Sequence, residues 1–157
     1  MLLTLGVGHK HRSTDYSATV HHGTVYKGRA GMKVYVVEDS APIRERLVDM
    51  VNEIEGFEVV GEAATFGQAV SGIRHTAPDV AIFDIQLAEG SGIDALAQVQ
   101  RELPAMRSIV LTNYATPQHE KASVDAGAEY FLDKSGDFEK VVAILLRMKA
   151  EHDMDRR

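Results

Sequence analysis

Val80-Ala81-Ile82-Phe83-Asp84-Ile85-Gln86-Leu87-Ala88-Glu89-Gly90-Ser91-Gly92 is the stretch that decides the fold. Its first four residues are apolar without alternation, as in a strand covered on both faces of a parallel sheet. Asp84 ends that strand and opens a polar, glycine-bearing loop. A lone carboxylate there would be ordinary, but the arrangement recurs along the chain. Val34-Tyr35-Val36-Val37 ends in Glu38-Asp39, Ile109-Val110-Leu111 ends in Thr112, and Tyr130-Phe131-Leu132 is followed closely by Lys134. Three acids, a hydroxyl and an ammonium, each at the end of a different strand, describe one site in a parallel sheet.

The segments between these strands read as helices. Ser40 is a candidate cap with Pro42 in the first turn, and Ile43, Leu47, Val51 and Ile54 follow at helical spacing until Gly56. Phe57–Val60 is a further strand, after which Ala69, Val70 and Ile73 mark a helix closed by Ala77-Pro78. Ile93, Leu96 and Ala97 mark the third helix, Thr116-Pro117 to Gly127 bounds the fourth, and Phe138, Val141, Val142, Leu145 and Leu146 form the apolar stripe of the fifth. Five strands alternating with five helices predict a doubly wound parallel sheet in three α/β/α layers. The predicted domain spans residues 32–150, with residues 151–157 as a short tail.

The 157 residues are 45% apolar and 25% charged, which fits one globular domain with a sizeable core. There is no cysteine, so disulfides, thiolate metal sites and cysteine nucleophiles are excluded, and a reducing cytoplasm fits. The net charge of −6 is uneven. Residues 1–31 carry Lys10, Arg12, Lys27 and Arg29 against Asp15 alone, whereas the remainder holds 13 basic and 22 acidic side chains. A body so acidic is repelled by DNA phosphates, so no direct nucleic-acid contact is expected from it. No run is apolar enough to span a membrane, and the N-terminus lacks the charged region of a signal peptide. Residues 1–31 show no useful periodicity and are expected to be a disordered extension, with the natural start at Met32. Their four histidines, His9, His11, His21 and His22, would bind metal only adventitiously.

Crowded carboxylates call for a cation. Two unit charges about 4 Å apart repel by about 4 kcal/mol at an effective dielectric near 20. Hard oxygen ligands without histidine or cysteine favour Mg2+. Asp84 then has the makings of a nucleophile toward a phosphoryl group whose oxygens Thr112 and Lys134 would hold.

With those residues in place, the chain from residue 33 to about 150 resembles a response-regulator receiver domain, the phospho-acceptor module of two-component signalling. The match rests on the acidic pair after the first strand, the aspartate after the third, the hydroxyl after the fourth and the lysine after the fifth. The resemblance implies a flavodoxin-like strand order 2-1-3-4-5. It implies phosphorylation of Asp84, direct Mg2+ ligation by Asp39, Glu38 acting largely through water, and the Gln86 backbone carbonyl as a further ligand. Thr112 would move toward the phosphoryl group, and Lys134 would pair with it. The phosphoryl donor would be a sensor histidine kinase or histidine phosphotransfer protein. Output would run through the face of the fourth helix, fifth strand and fifth helix to a protein target, with room for a phosphorylation-linked homodimer. Such a protein is a signalling element and not a turnover enzyme.

Four positions depart from the family pattern. Ala88 and Ser135 stand where many receivers carry proline: a less rigid loop is expected at Ala88, and since a cis bond before Ser135 would cost about 3–4 kcal/mol, that loop is either strained or takes another path. Phe131 occupies the place of the switch aromatic without a hydroxyl, while Tyr130 is expected to face the other side of the strand. Tyr114, two residues after Thr112, is expected with Gln86 to flank the path of attacking water and to prolong the phosphorylated state. The alternatives are a receiver fragment of a DNA-binding regulator and, more remotely, a haloacid-dehalogenase-type phosphatase. The latter needs a general-acid aspartate where Gln86 stands.

Overall fold

The computed structural model describes residues 31–157 and, by backbone alone, two short upstream strands, Thr19–His21 (β1) and Thr24–Tyr26 (β2). These two pair antiparallel, with Val20 opposite Val25. Strands of three residues are too short to display a period, which is why the sequence does not announce them. The expectations of disorder, of adventitious metal at His9, His11, His21 and His22, and of a start at Met32 lie outside the described residues and side chains.

From Met32 the chain forms β3 (Met32–Val37), α1 (Ala41–Asn52), β4 (Phe57–Ala63), α2 (Phe66–Thr76), β5 (Val80–Phe83) and α3 (Gly92–Glu102). Then follow β6 (Arg107–Thr112), α4 (Pro117–Ala126), β7 (Tyr130–Asp133), α5 (Lys134–Asp137) and α6 (Lys140–Asp155). Strands β3 to β7 make one parallel sheet in the order β4-β3-β5-β6-β7, the expected 2-1-3-4-5. The central strand β5 is buried throughout, whereas edge strand β4 alternates buried and half-buried residues. Continuous apolar runs therefore mark the strands covered on both faces.

Two cores sandwich the sheet. On one face Val34, Val36, Ile82, Ile109 and Leu111 pack with Leu47 and Val51 of α1 and Val141, Leu145 and Met148 of α6. On the other, Val37, Ala81, Phe83 and Val110 pack with Ile73 of α2 and Leu96 and Val99 of α3. Each large side chain fully buried this way contributes roughly 1.5–3 kcal/mol. Tyr130 joins the first core and Phe131 the second, so neighbouring residues of β7 face opposite ways as expected.

The helix count differs from the expected five. Lys134–Asp137 forms a separate single turn, capped by Asp133, whose carboxylate accepts from Ser135 N–H and Oγ–H at 2.9 and 2.7 Å. The chain after Lys134 thus takes another path, with no cis bond among the described residues. The last helix continues to Asp155, through most of the stretch expected as a tail, and it buries Met148 while Leu146 is 48% exposed. Ser40 occupies the cap position of α1 but makes no side-chain cap bond; its N–H instead donates to Glu38 Oε1 at 3.2 Å.

Candidate functional site

Strand order reverses between β3 and β5, because the chain runs outward to β4 and returns on the other side of β3. A crevice forms at the carboxyl ends where this happens. Glu38 and Asp39 leave β3 there, and Asp84 leaves β5. The backbones are locked together: Asp84 N–H donates to the Val37 carbonyl and Glu38 N–H to the Ala63 carbonyl, both at 2.9 Å. Ligand oxygens of Glu38, Asp39 and Asp84 lie within 4.8 Å of one another. Glu38 is 1% and Asp84 6% exposed, whereas Asp39 faces solvent.

Lys134, at the start of α5, reaches into this cluster. Its Nζ lies 2.7 Å from Glu38 Oε2 and 2.9 Å from Asp84 Oδ2. Burial works against the Lys134 ammonium, but its bonds to Glu38 and Asp84 outweigh that and hold its pKa above the usual lysine value. Burial pushes the Glu38 carboxyl up to about 7; Lys134 opposes the rise and Asp84 adds to it. One cation thus serves two buried carboxylates, and Asp84 Oδ1 is left buried with no hydrogen-bond partner. A buried acceptor in that condition costs about 1–3 kcal/mol. A divalent cation fits this donor set: three hard carboxylates, one of them solvent-facing, with an orphaned oxygen at the centre.

Thr112 ends β6 fully buried, and its Oγ1 accepts from Tyr114 N–H at 3.1 Å. Gln86 is exposed on the loop after Asp84, where it bridges to Ser91. Tyr114 is 46% exposed beside His119, and Phe131 packs against the second core. Glu38, Asp84 and Lys134 are therefore bonded together and Asp39 adjoins them. Thr112, Tyr114, Gln86 and Phe131 make no direct bond to that cluster.

Three structural features escaped sequence reasoning. Arg44 of α1 donates from Nη1 to the Glu38 carbonyl at 2.8 Å and pairs through Nε with Glu62 at 3.3 Å, fixing the turn that carries the acidic pair. A Cβ on Gly92 would stand 1.7 Å from the Asp84 carbonyl oxygen, so only glycine lets α3 begin this close to Asp84. Ala88 has an N–H that proline would lack, and it donates to the Ala64 carbonyl at 3.0 Å, tying the acceptor loop to the β4–α2 turn. The Gly90-Ser91-Gly92 run that leads into α3 was a signal for the second; the first and third are pairings with no local signature.

Fold and cluster together define a class: a doubly wound α/β signalling module with an acidic, lysine-bridged pocket at its switch point. Residues 34–146 match the family described as response regulator receiver domain, and the chain belongs to it. The DNA-binding transcriptional activator DevR/DosR of Mycobacterium tuberculosis is 31% identical over 103 residues, covering 66% of this chain and 48% of that protein. The chemotaxis protein CheY of Thermotoga maritima is 31% identical over 115 residues, 73% of this chain and 95% of that protein. A two-component response regulator of the LuxR family from an Aurantimonas species superposes with a TM-score of 0.71 at 26% identity, covering 77% of this chain and 86% of that one. The chain thus spans about half the length of the mycobacterial activator and nearly all of the chemotaxis protein. Receiver domains are signalling proteins that bind Mg2+ through acidic residues and interact with histidine kinases. Among the described residues no helix is long and apolar enough to cross a membrane.

Proposed function

We propose that Asp84 accepts a phosphoryl group from a phosphohistidine on a histidine kinase or phosphotransfer protein. The observation that carries this reading is the Lys134 bridge: its ammonium holds Asp84 Oδ2 and Glu38 Oε2 in place, while Asp84 Oδ1 lies buried and unpartnered. In the transfer an Asp84 carboxylate oxygen bonds to phosphorus as the phosphorus–nitrogen bond breaks, and the imidazole leaves with the electron pair. Asp39, Asp84, Glu38 and the Gln86 carbonyl would hold Mg2+, which when bound offsets the charge on the phosphoryl oxygens. Lys134 exchanges its Asp84 contact for a phosphoryl oxygen, and the Thr112 hydroxyl donates to another.

The phosphorylated side chain carries about −1.5 to −2 charges, enough to bias a two-state element. The face that reads this out is built from α4, β7 and α6, where Val124 and Leu146 are 56% and 48% exposed. A protein target or a second copy of the chain would dock there. Tyr114, whose N–H is bonded to Thr112, favours a long-lived phosphoprotein, to be read as a half-life well beyond seconds. Residues 32–157 carry excess negative charge, which argues against DNA contact by the domain itself.

Incubation with acetyl phosphate and Mg2+ tests the acceptor. An acid-stable, base-labile adduct on the wild type and none on Asp84→Asn is the expected result; labelling of Asp84→Asn, or no adduct at all, overturns it. A second reading, the receiver part of a longer transcriptional regulator, draws on the mycobacterial activator, of which the matched region is 48%. Sequencing the flanking reading frame separates it from a stand-alone receiver.

A further inference from the structure

The segment between β6 and α4 is held in shape by a short chain of bonds that ends on a histidine. Tyr114 N–H donates to Thr112 Oγ1 at 3.1 Å. The Tyr114 carbonyl accepts from Thr116 N–H at 2.9 Å and lies 2.7 Å from His119 Nδ1. Thr116 Oγ1 accepts in turn from His119 N–H at 3.1 Å, as the cap of α4. The Tyr114 and His119 rings meet edge to face, with centroids 6.5 Å apart at 80°. Residues 113–118 are all exposed, so little buried apolar surface holds this segment and the bonds carry its conformation.

A carbonyl oxygen only accepts, so His119 Nδ1 carries the hydrogen in its contact with Tyr114. That bond anchors the Tyr114 peptide to the first turn of α4. Thr112 Oγ1 is bonded to the other side of the same residue. For the Thr112 hydroxyl to follow a phosphoryl group on Asp84, Tyr114 N–H either travels with it or lets go. The first displaces Tyr114 from α4 against the His119 bond; in the second Tyr114 stays, its N–H kept aimed at Thr112 by the His119 bond, so that the Thr112 bond has to break.

We propose that His119 is a positioning residue for Thr112. Its Nδ1–H bond to the Tyr114 carbonyl holds the segment in the arrangement where Thr112 is bonded to Tyr114, and so sets how readily the domain reaches its phosphorylated form. The proposal rests on the reading of Asp84 as acceptor.

Two variants of the full chain separate the bond from the ring. His119→Phe keeps a flat ring against Tyr114 and removes the donor. His119→Asn restores an amide donor near the same place without the ring. Hydrogen exchange at the Tyr114 amide is followed in the unphosphorylated protein, and labelling by acetyl phosphate with Mg2+ is followed separately. The expected result for His119→Phe is about fivefold faster exchange and about fivefold faster labelling, the factor one neutral hydrogen bond is worth, with His119→Asn close to wild type. Unchanged exchange in His119→Phe overturns the proposal, as does faster exchange with unchanged labelling or an equal effect in both variants. Exchange needs no phosphodonor. If the wild type does not label, the acceptor reading fails, while the exchange result still decides whether His119 holds Tyr114.

Discussion

Two clusters of one cation and two carboxylates stand at opposite ends of the sheet, and they differ in what they leave unsatisfied. At the carboxyl ends Lys134 bridges Glu38 and Asp84, with side chains 6%, 2% and 7% exposed. At the amino end of β6 Arg107 pairs with Glu129 and Glu151 at 2.7 Å each, with side chains 24%, 38% and 47% exposed. Arg107 grips Glu129 through two nitrogens, and that bond, with Glu151 adding, raises its pKa further against the effect of burial. The guanidinium has donors enough for both acids, so the cluster braces β6 and the loop before β7 against α6. The lysine cluster has a third acid beside it, Asp39, and an Asp84 oxygen with no partner. A cation with acids around it gives a brace where water screens and a pocket with an unsatisfied oxygen where it does not.

The two clusters differ most in what their cations hold. Lys134→Ala leaves two buried acids facing one another and is expected to lower stability by about 3 kcal/mol in denaturant titrations at pH 8 without metal. Mg2+ at a hundredfold excess over its dissociation constant should raise the stability of the wild type by about 2.7 kcal/mol, with no such gain for an Asp39→Ala Asp84→Ala double variant. Arg107→Ala is expected to cost about 1 kcal/mol, since its pairs are partly solvated and screened. A larger loss for Arg107→Ala than for Lys134→Ala would reverse the assignment of brace and pocket.

A further effect concerns pH. The Glu38 carboxyl titrates near 4.5 when unfolded and at about 7 when folded, so between these values the folded protein keeps a proton that the unfolded chain has lost. This group therefore makes stability fall as pH rises across that window, and above it the full penalty remains. Thermal midpoints in chelator-treated buffer should decline more from pH 5 to 7 in the wild type than in Glu38→Gln. Equal slopes would place Glu38 in a less buried setting.

Much of this was legible in the chain itself. The unbroken apolar runs of β3, β5 and β6 announced a parallel sheet, because burial on both faces erases alternation. Glu38, Asp39 and Asp84 stood out because each ends such a run, and topology brings strand ends together. The strand order came from family resemblance, since periodicity carries no information on which strand lies beside which. The turn α5 was missed because four residues hold no period, and the end of α6 because Glu151–Asp155 is polar. Arg44 with Glu62 and His119 against Tyr114 are contacts made by the fold. Nothing local marks them.

On the proposed reading Asp84, and not Glu38 or Asp39, receives the phosphoryl group. Borohydride reduces an aspartyl phosphate to homoserine, which marks the modified position permanently for peptide mass spectrometry. After treatment with acetyl phosphate and Mg2+, the account predicts homoserine at position 84 alone, lost when metal is chelated before the phosphodonor is added. Homoserine at position 39, or modification indifferent to the metal, would contradict it.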